Sequence, residues 1–178
     1  MKAIITPLDF ILRWALVVLA VFMVLTVTWQ VFSRYALRAP SSLTEEIARF
    51  QLIWLGLLGA VYTFRNRMHV GIDLLVAPLK GRKRLAAELV SLISVLLFAI
   101  LILIYGGGRL VQLTHELNQT SGALGVRISY IYSIIPISGF LICIYALHYI
   151  GDVIFRGKIH KLNELDIAKL APDLKERD

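Results

Sequence analysis

The sequence predicts an all-α integral membrane protein with four transmembrane helices. Of the 178 residues, 58% are hydrophobic and only 17% are charged, and the mean hydropathy of +0.74 is far above that of an ordinary soluble domain. Apolar runs fall in four places, and a helix rising about 1.5 Å per residue needs about 20 such residues to cross a hydrocarbon layer about 30 Å thick. Nothing alternates with period two, and isolated strands would leave backbone groups unpaired in lipid.

The first run, residues 14–32, carries no charge. It is longer than the apolar core of a signal peptide and no A-x-A site follows it, so it reads as a retained helix. The second, residues 50–64, is short, but Arg49 and Arg65 flank it and can extend it by reaching the two interfaces. The third and fourth runs cover residues 89–108 and 128–151. Approximate helical spans are 10–33, 46–65, 86–108 and 128–151. Residues 1–155 thus form one membrane domain and 156–178 a tail. The single cysteine, Cys143, lies in the fourth run and excludes an internal disulfide.

Charge sets the expected orientation. The N-terminal segment, residues 65–88 and the tail hold 14 of the 19 Lys and Arg, while the other two loops hold five. The positive-inside rule therefore places both termini and the middle loop in the cytoplasm. Trp14, Tyr145 and Tyr149 fall at the inner ends and Trp29, Tyr35 and Tyr130 at the outer ends, as in an interfacial aromatic belt. Topogenesis and contact with anionic phospholipid account for the net charge of +7 without nucleic acid. Between the second and third helices, Met68, Ile72, Leu75 and Leu79 recur at helical spacing. They predict a short amphipathic helix in the interface, ended by Pro78 and Gly81. The mixed-sign tail after Arg156 has a weak apolar stripe at Ile159, Leu162 and Leu165, which leaves a short surface helix or disorder towards Asp178 as the two readings.

The stretch TEEIARFQLIWLG (residues 44–56) puts Glu45 and Glu46 at the edge of an apolar run. Two readings stay open. Ser42 and Glu45 match an S-x-x-E capping box, the helix dipole favours both carboxylates, and Glu45 stands four residues before Arg49 in the order that suits an ion pair. Alternatively the pair contacts a partner or an ion.

Transport sites need ionisable groups or broken helices near the midplane, and no Asp or Glu lies in the uncharged runs. Pro136 is expected to kink a packed helix. His148 is the one histidine within a run, which argues against a bis-histidine haem. The triple glycine 106–108 suggests a helix end or close helix packing rather than a phosphate cradle. The sequon at Asn118 matters only in a secretory host. No cofactor, metal or catalytic constellation is expected, and the chain reads as an accessory subunit. The rivals are a small redox or enzyme subunit, which would show a Soret band, and a self-assembling channel, which would need converging polar stripes.

Glu45 and Glu46 opening the second helix, Phe50 and Trp54 within it, Gly59 and Ala60, Arg65, and HVGID at residues 69–73 carry a resemblance covering nearly the whole chain. The chain resembles the DctQ-like small membrane subunit of tripartite ATP-independent periplasmic (TRAP) transporters. That resemblance implies a non-catalytic partner of a large elevator-type membrane subunit in a bacterial inner membrane. It also implies sodium-coupled uptake of a carboxylate, such as a C4-dicarboxylate or a sialic acid, delivered by a periplasmic binding protein. Glu45, Glu46, Arg49, Trp54, Arg65, His69 and Asp73 then become candidates for contact with the large subunit or with phospholipid.

Overall fold

A computed structural model describes residues 2–39, 41–66 and 82–156. Within them, α1 is Lys2–Tyr35 and α2 is Ser42–Arg65. The third span is one continuous rod of three parts: α3 (Arg82–Phe98), a π-helical segment (Ala99–Gly106) and α4 (Gly107–Glu116). The fourth is interrupted, with α5 (Ile128–Tyr132) followed by α6 (Ile134–Arg156). Four helices are long and apolar enough to cross a membrane: Pro7–Tyr35, Ser42–Arg65, Ala86–Glu116 and Ile128–Val153. The third span thus continues to Glu116, beyond the end near residue 108 that its triple glycine suggests. The amphipathic segment around Met68 to Leu79, with His69 and Asp73, lies outside the described residues, as does the tail from residue 157.

The fourth span is the most buried of the four. Both α2 and the third span pack on it, while α1 packs on α2. The core joins Leu58, Val61 and Phe64 of α2 to Leu92 and Ala99 of the third span and to Ile134, Ile142, Tyr145, Ala146 and Val153 of α6. Leu12 brings α1 into the same cluster. Elsewhere α1 presents large apolar side chains outwards, among them Trp14, Val18, Phe22 and Leu25, as a helix facing lipid does.

Two glycines set the approach of the third span to the fourth. A Cβ on Gly107 would stand 2.6 Å from Ile135 Cγ2 and 3.2 Å from Pro136 Cδ, and one on Gly139 would stand 2.7 Å from Leu103 Cβ. Of the two readings of the triple glycine, close helix packing is the one observed, since the helix runs straight through it. Backbones without side chains approach closely, and in a membrane this dispersion contact is the main apolar attraction between helices.

Pro136 does not kink a continuous helix. The break falls at Ser133, three residues earlier, and Pro136 occupies the first turn of α6, where a missing N–H is tolerated.

At the turn end of the bundle, the α4 to α5 connection is compact. Asn118, with φ 48°, ends α4 in the left-handed conformation that asparagine accepts. Thr120 and Arg127 form an antiparallel bridge, and the Ser121 N–H donates to the Val126 carbonyl at 2.8 Å. Gly125, at φ 65°, supplies the remaining left-handed residue.

Replacing Gly107 or Gly139 by leucine is expected to destabilise the fold by about 1–3 kcal/mol through overpacking. Alanine at Gly108, where an added Cβ meets nothing within 4 Å, is expected to be neutral; thermal unfolding of the three variants in detergent checks this.

Candidate functional site

Polar side chains gather at the two ends of the bundle. At the end where α1 begins and α2 and α6 finish, Arg65 is the centre. Its Nε donates to Asp9 Oδ1 at 2.8 Å and its Nη2 to Asp9 Oδ2 at 2.7 Å. The remaining arm, Nη1, donates to the Tyr149 hydroxyl at 3.2 Å. That hydroxyl in turn donates to the Arg65 backbone carbonyl. The Tyr145 hydroxyl donates to Asp9 Oδ1 at 2.8 Å, and its ring lies 5.8 Å from the guanidinium carbon.

This geometry corrects three sequence expectations. Arg65 does not extend the second span by reaching for the interface; it turns sideways to a carboxylate. Burial explains the choice, because the Arg65 and Asp9 side chains are 32% and 29% exposed, and a half-buried charge is costly unless paired. Tyr145 and Tyr149 are not belt residues: Tyr145 is fully buried, and both hydroxyls serve the same network. Asp9, absent from the candidates, is its anionic member. The signal for Asp9 was faint, a lone carboxylate two turns inside a basic N-terminal segment.

His148 lies nearby, with Nε2 3.3 Å from Asp152 Oδ2 and its ring 5.7 Å from that of Tyr149. Its ring nitrogen is therefore already engaged with a carboxylate one turn away.

At the opposite end the two glutamates part company. Glu45 approaches Arg49 at 3.6 Å, with both side chains exposed by 60% or more, the helix-surface pair expected from their spacing. Such a pair contributes little to stability. Glu46 instead reaches the α4 to α5 connection, where its Oε2 accepts the N–H groups of Ala123 at 2.9 Å and Leu124 at 3.0 Å. The capping box does not form. Ser42 is already helical, and the capping position is Ser41, which makes no side-chain cap bond. Thr44 Oγ1 donates to the Ser41 carbonyl instead. The carboxylate nearest the loop finds two backbone donors there, the Leu124 N–H being shared with Ser121 Oγ at 3.2 Å, a stronger attraction than its own solvated helix end.

Trp54 adds a second tie one end inwards. Its indole N–H donates to the Ile131 carbonyl at 3.1 Å, joining α2 to α5 just before the helix break. Of the seven candidates, the structure thus commits Glu46, Trp54 and Arg65 to contacts within the chain. Glu45 and Arg49 remain exposed beside one another, and His69 and Asp73 are outside the described residues.

Among the described residues no group of three or more His, Cys, Asp or Glu side chains is placed to hold a metal ion. Cys143 is a buried free thiol. Among the described residues, Asp9, Arg65, Glu46 and Trp54 tie separate parts of the chain together.

Residues 23–155 match the family model for the DctQ component of tripartite ATP-independent periplasmic transporters. The chain belongs to this family. A TRAP transporter small permease protein of Haemophilus influenzae is 30% identical over 71% of this chain and 78% of its own length. The C4-dicarboxylate TRAP transporter small permease protein of Rhodobacter capsulatus is 30% identical over 56% of this chain, and 43% of that relative is covered. The sialic acid TRAP transporter small permease protein of Vibrio cholerae is 28% identical over 63% of each chain. The small permease is a transporter component and not a catalytic enzyme. With its four apolar helices, this DctQ-type chain is a multi-pass inner-membrane protein.

Removing either partner of the Asp9 and Arg65 pair is expected to cost about 1–3 kcal/mol, between the values for exposed and buried pairs. Asp9→Asn and Arg65→Leu combined should cost clearly less than the sum of the two, and Arg65→Lys should not rescue, because lysine lacks the forked donor. A double-mutant cycle on thermal unfolding measures each value. At the other end, Glu46→Ala is expected to speed amide exchange at Ala123 and Leu124, whereas Glu45→Ala leaves those amides unchanged, as read by hydrogen exchange.

Proposed function

We propose that this small permease is a static scaffold for a large, elevator-type membrane subunit. The complex performs sodium-coupled uptake of a carboxylate that a periplasmic binding protein delivers. The observation that carries the reading is the disposal of polar groups. Asp9, Arg65 and Glu46 are all satisfied by partners on other helices or loops of the same chain. The outward faces of α1 and of the third span are apolar. A chain built this way holds its shape, and among the described residues no row of ionisable groups lines a path for a substrate or ion.

A carboxylate substrate is supported by the names of two relatives, one for C4-dicarboxylate and one for sialic acid. Both compounds are carboxylates. Both termini lie in the cytoplasm on the charge count, which puts the Arg65 junction at the inner side and the Glu46 clasp at the periplasmic side. Glu45 and Arg49 then form an exposed periplasmic pair able to exchange partners with polar groups of the large subunit or a phospholipid headgroup. His69 and Asp73 serve the same purpose at the inner side.

Co-expression with the large subunit encoded beside this chain tests the scaffold. Co-elution at one-to-one stoichiometry is expected, with liposome uptake that needs both subunits, sodium and the binding protein. Elution of this chain by itself, or uptake without it, overturns the proposal. Arg49→Glu is expected to lower the yield of the complex while leaving the melting temperature of the small subunit unchanged. Equal yields would remove the Glu45 and Arg49 pair from the interface.

A further inference from the structure

The Glu46 clasp and the Trp54 tie stand eight positions apart on α2, a rise of roughly 12 Å at helical pitch. Gln51 sits in that interval, one turn before Trp54, and is 7% exposed. Neither its Nε2 nor its Oε1 has a hydrogen-bond partner in the protein. On the facing element, Ser129 of α5 stands two residues before Ile131, the acceptor of the Trp54 bond. It is 3% exposed, and its hydroxyl is likewise unpaired. The two orphaned side chains thus belong to the two segments that the Trp54 hydrogen bond joins, each within one helical turn of it.

Leaving a buried amide and a buried hydroxyl unpaired costs about 1–3 kcal/mol each. Buried groups of this kind are normally satisfied by protein or by ordered water. We propose that an internal water lies where α2 meets α5 and bridges the Gln51 amide and the Ser129 hydroxyl. The chemistry selects water. An amide asks for both a donor and an acceptor, a serine hydroxyl offers either, and a water molecule supplies both at once. A bare cation would leave the amide N–H groups unpaired. It would also lack a carboxylate, since Glu46 already accepts two N–H groups and Glu45 faces Arg49. The interrupted helix adds to the polarity of the site, because Pro136 has no N–H to give the carbonyl four residues earlier, at Tyr132.

The test uses the full chain in detergent micelles with its glutamine side chains labelled with nitrogen-15, the Gln51 signal being assigned by its loss in Gln51→Leu. Magnetisation transfer between the Gln51 amide protons and a long-lived water is expected; no transfer overturns the site. Sharing of the water by both residues is tested by thermal unfolding of Gln51→Leu, Ser129→Ala and the double variant. The double variant is expected to lose clearly less stability than the sum of the two single losses. Additive losses would overturn the bridge.

Discussion

Arg65 ends a membrane-length helix with a charge that bulk water only partly reaches, and the arrangement around it follows from that constraint. A guanidinium in such a place needs acceptors on several sides. Asp9 from α1 takes two of its arms and Tyr149 from α6 the third, while Tyr145 steadies the carboxylate. Three helices that share little sequence logic are thereby brought to one point at one depth. For α1 this matters most, because one whole side of it faces outwards with apolar side chains that lipid would accommodate equally well. Asp9 and the Leu12 contact one turn on set its rotation at this end, and Leu8, Leu16 and Leu19 pack against the same core.

The rest of the bundle divides its work by depth. Polar ties hold the ends, with Arg65 at one and Glu46 and Trp54 at the other. The middle is held sterically, by Gly107 and Gly139 letting the third span lie against Ile135 and Leu103. Such a division suits a bilayer, where burying one apolar face against another brings close packing but no hydrophobic driving force. Specificity of packing must then come from shape and from a few satisfied polar groups. A small permease with these properties can keep its form while a neighbour moves, which is the demand that the proposed scaffold role makes.

What could be read from the sequence was whatever depended on composition along the chain. Four apolar runs gave four helices, and the spacing of Glu45 and Arg49 gave their surface pair. The lone residues whose partners lie far away in sequence were misread. Asp9 and Arg65 are 56 positions apart and Trp54 and Ile131 are 77. No periodicity links such pairs, so Trp54 and Arg65 looked like surface candidates and Tyr145 and Tyr149 like belt residues. For Glu46 the sequence left its own helix end or an outside partner, because local rules see only local donors. The amides of Ala123 and Leu124 enter the picture only once the α4 to α5 connection has folded back over α2.

The π-helical stretch at Ala99–Gly106 bears on how this span tolerates change in length. A wide turn houses about one residue more than an α-helix needs to cover the same path. Losing a residue here would let the rod close into ordinary α-helix, with Gly107 still facing Ile135. The same deletion elsewhere in the span would swing everything downstream by about 100° and pull the glycine contact out of register. Insertions and deletions within the lineage therefore have one place in this helix where they can fall without dismantling the bundle.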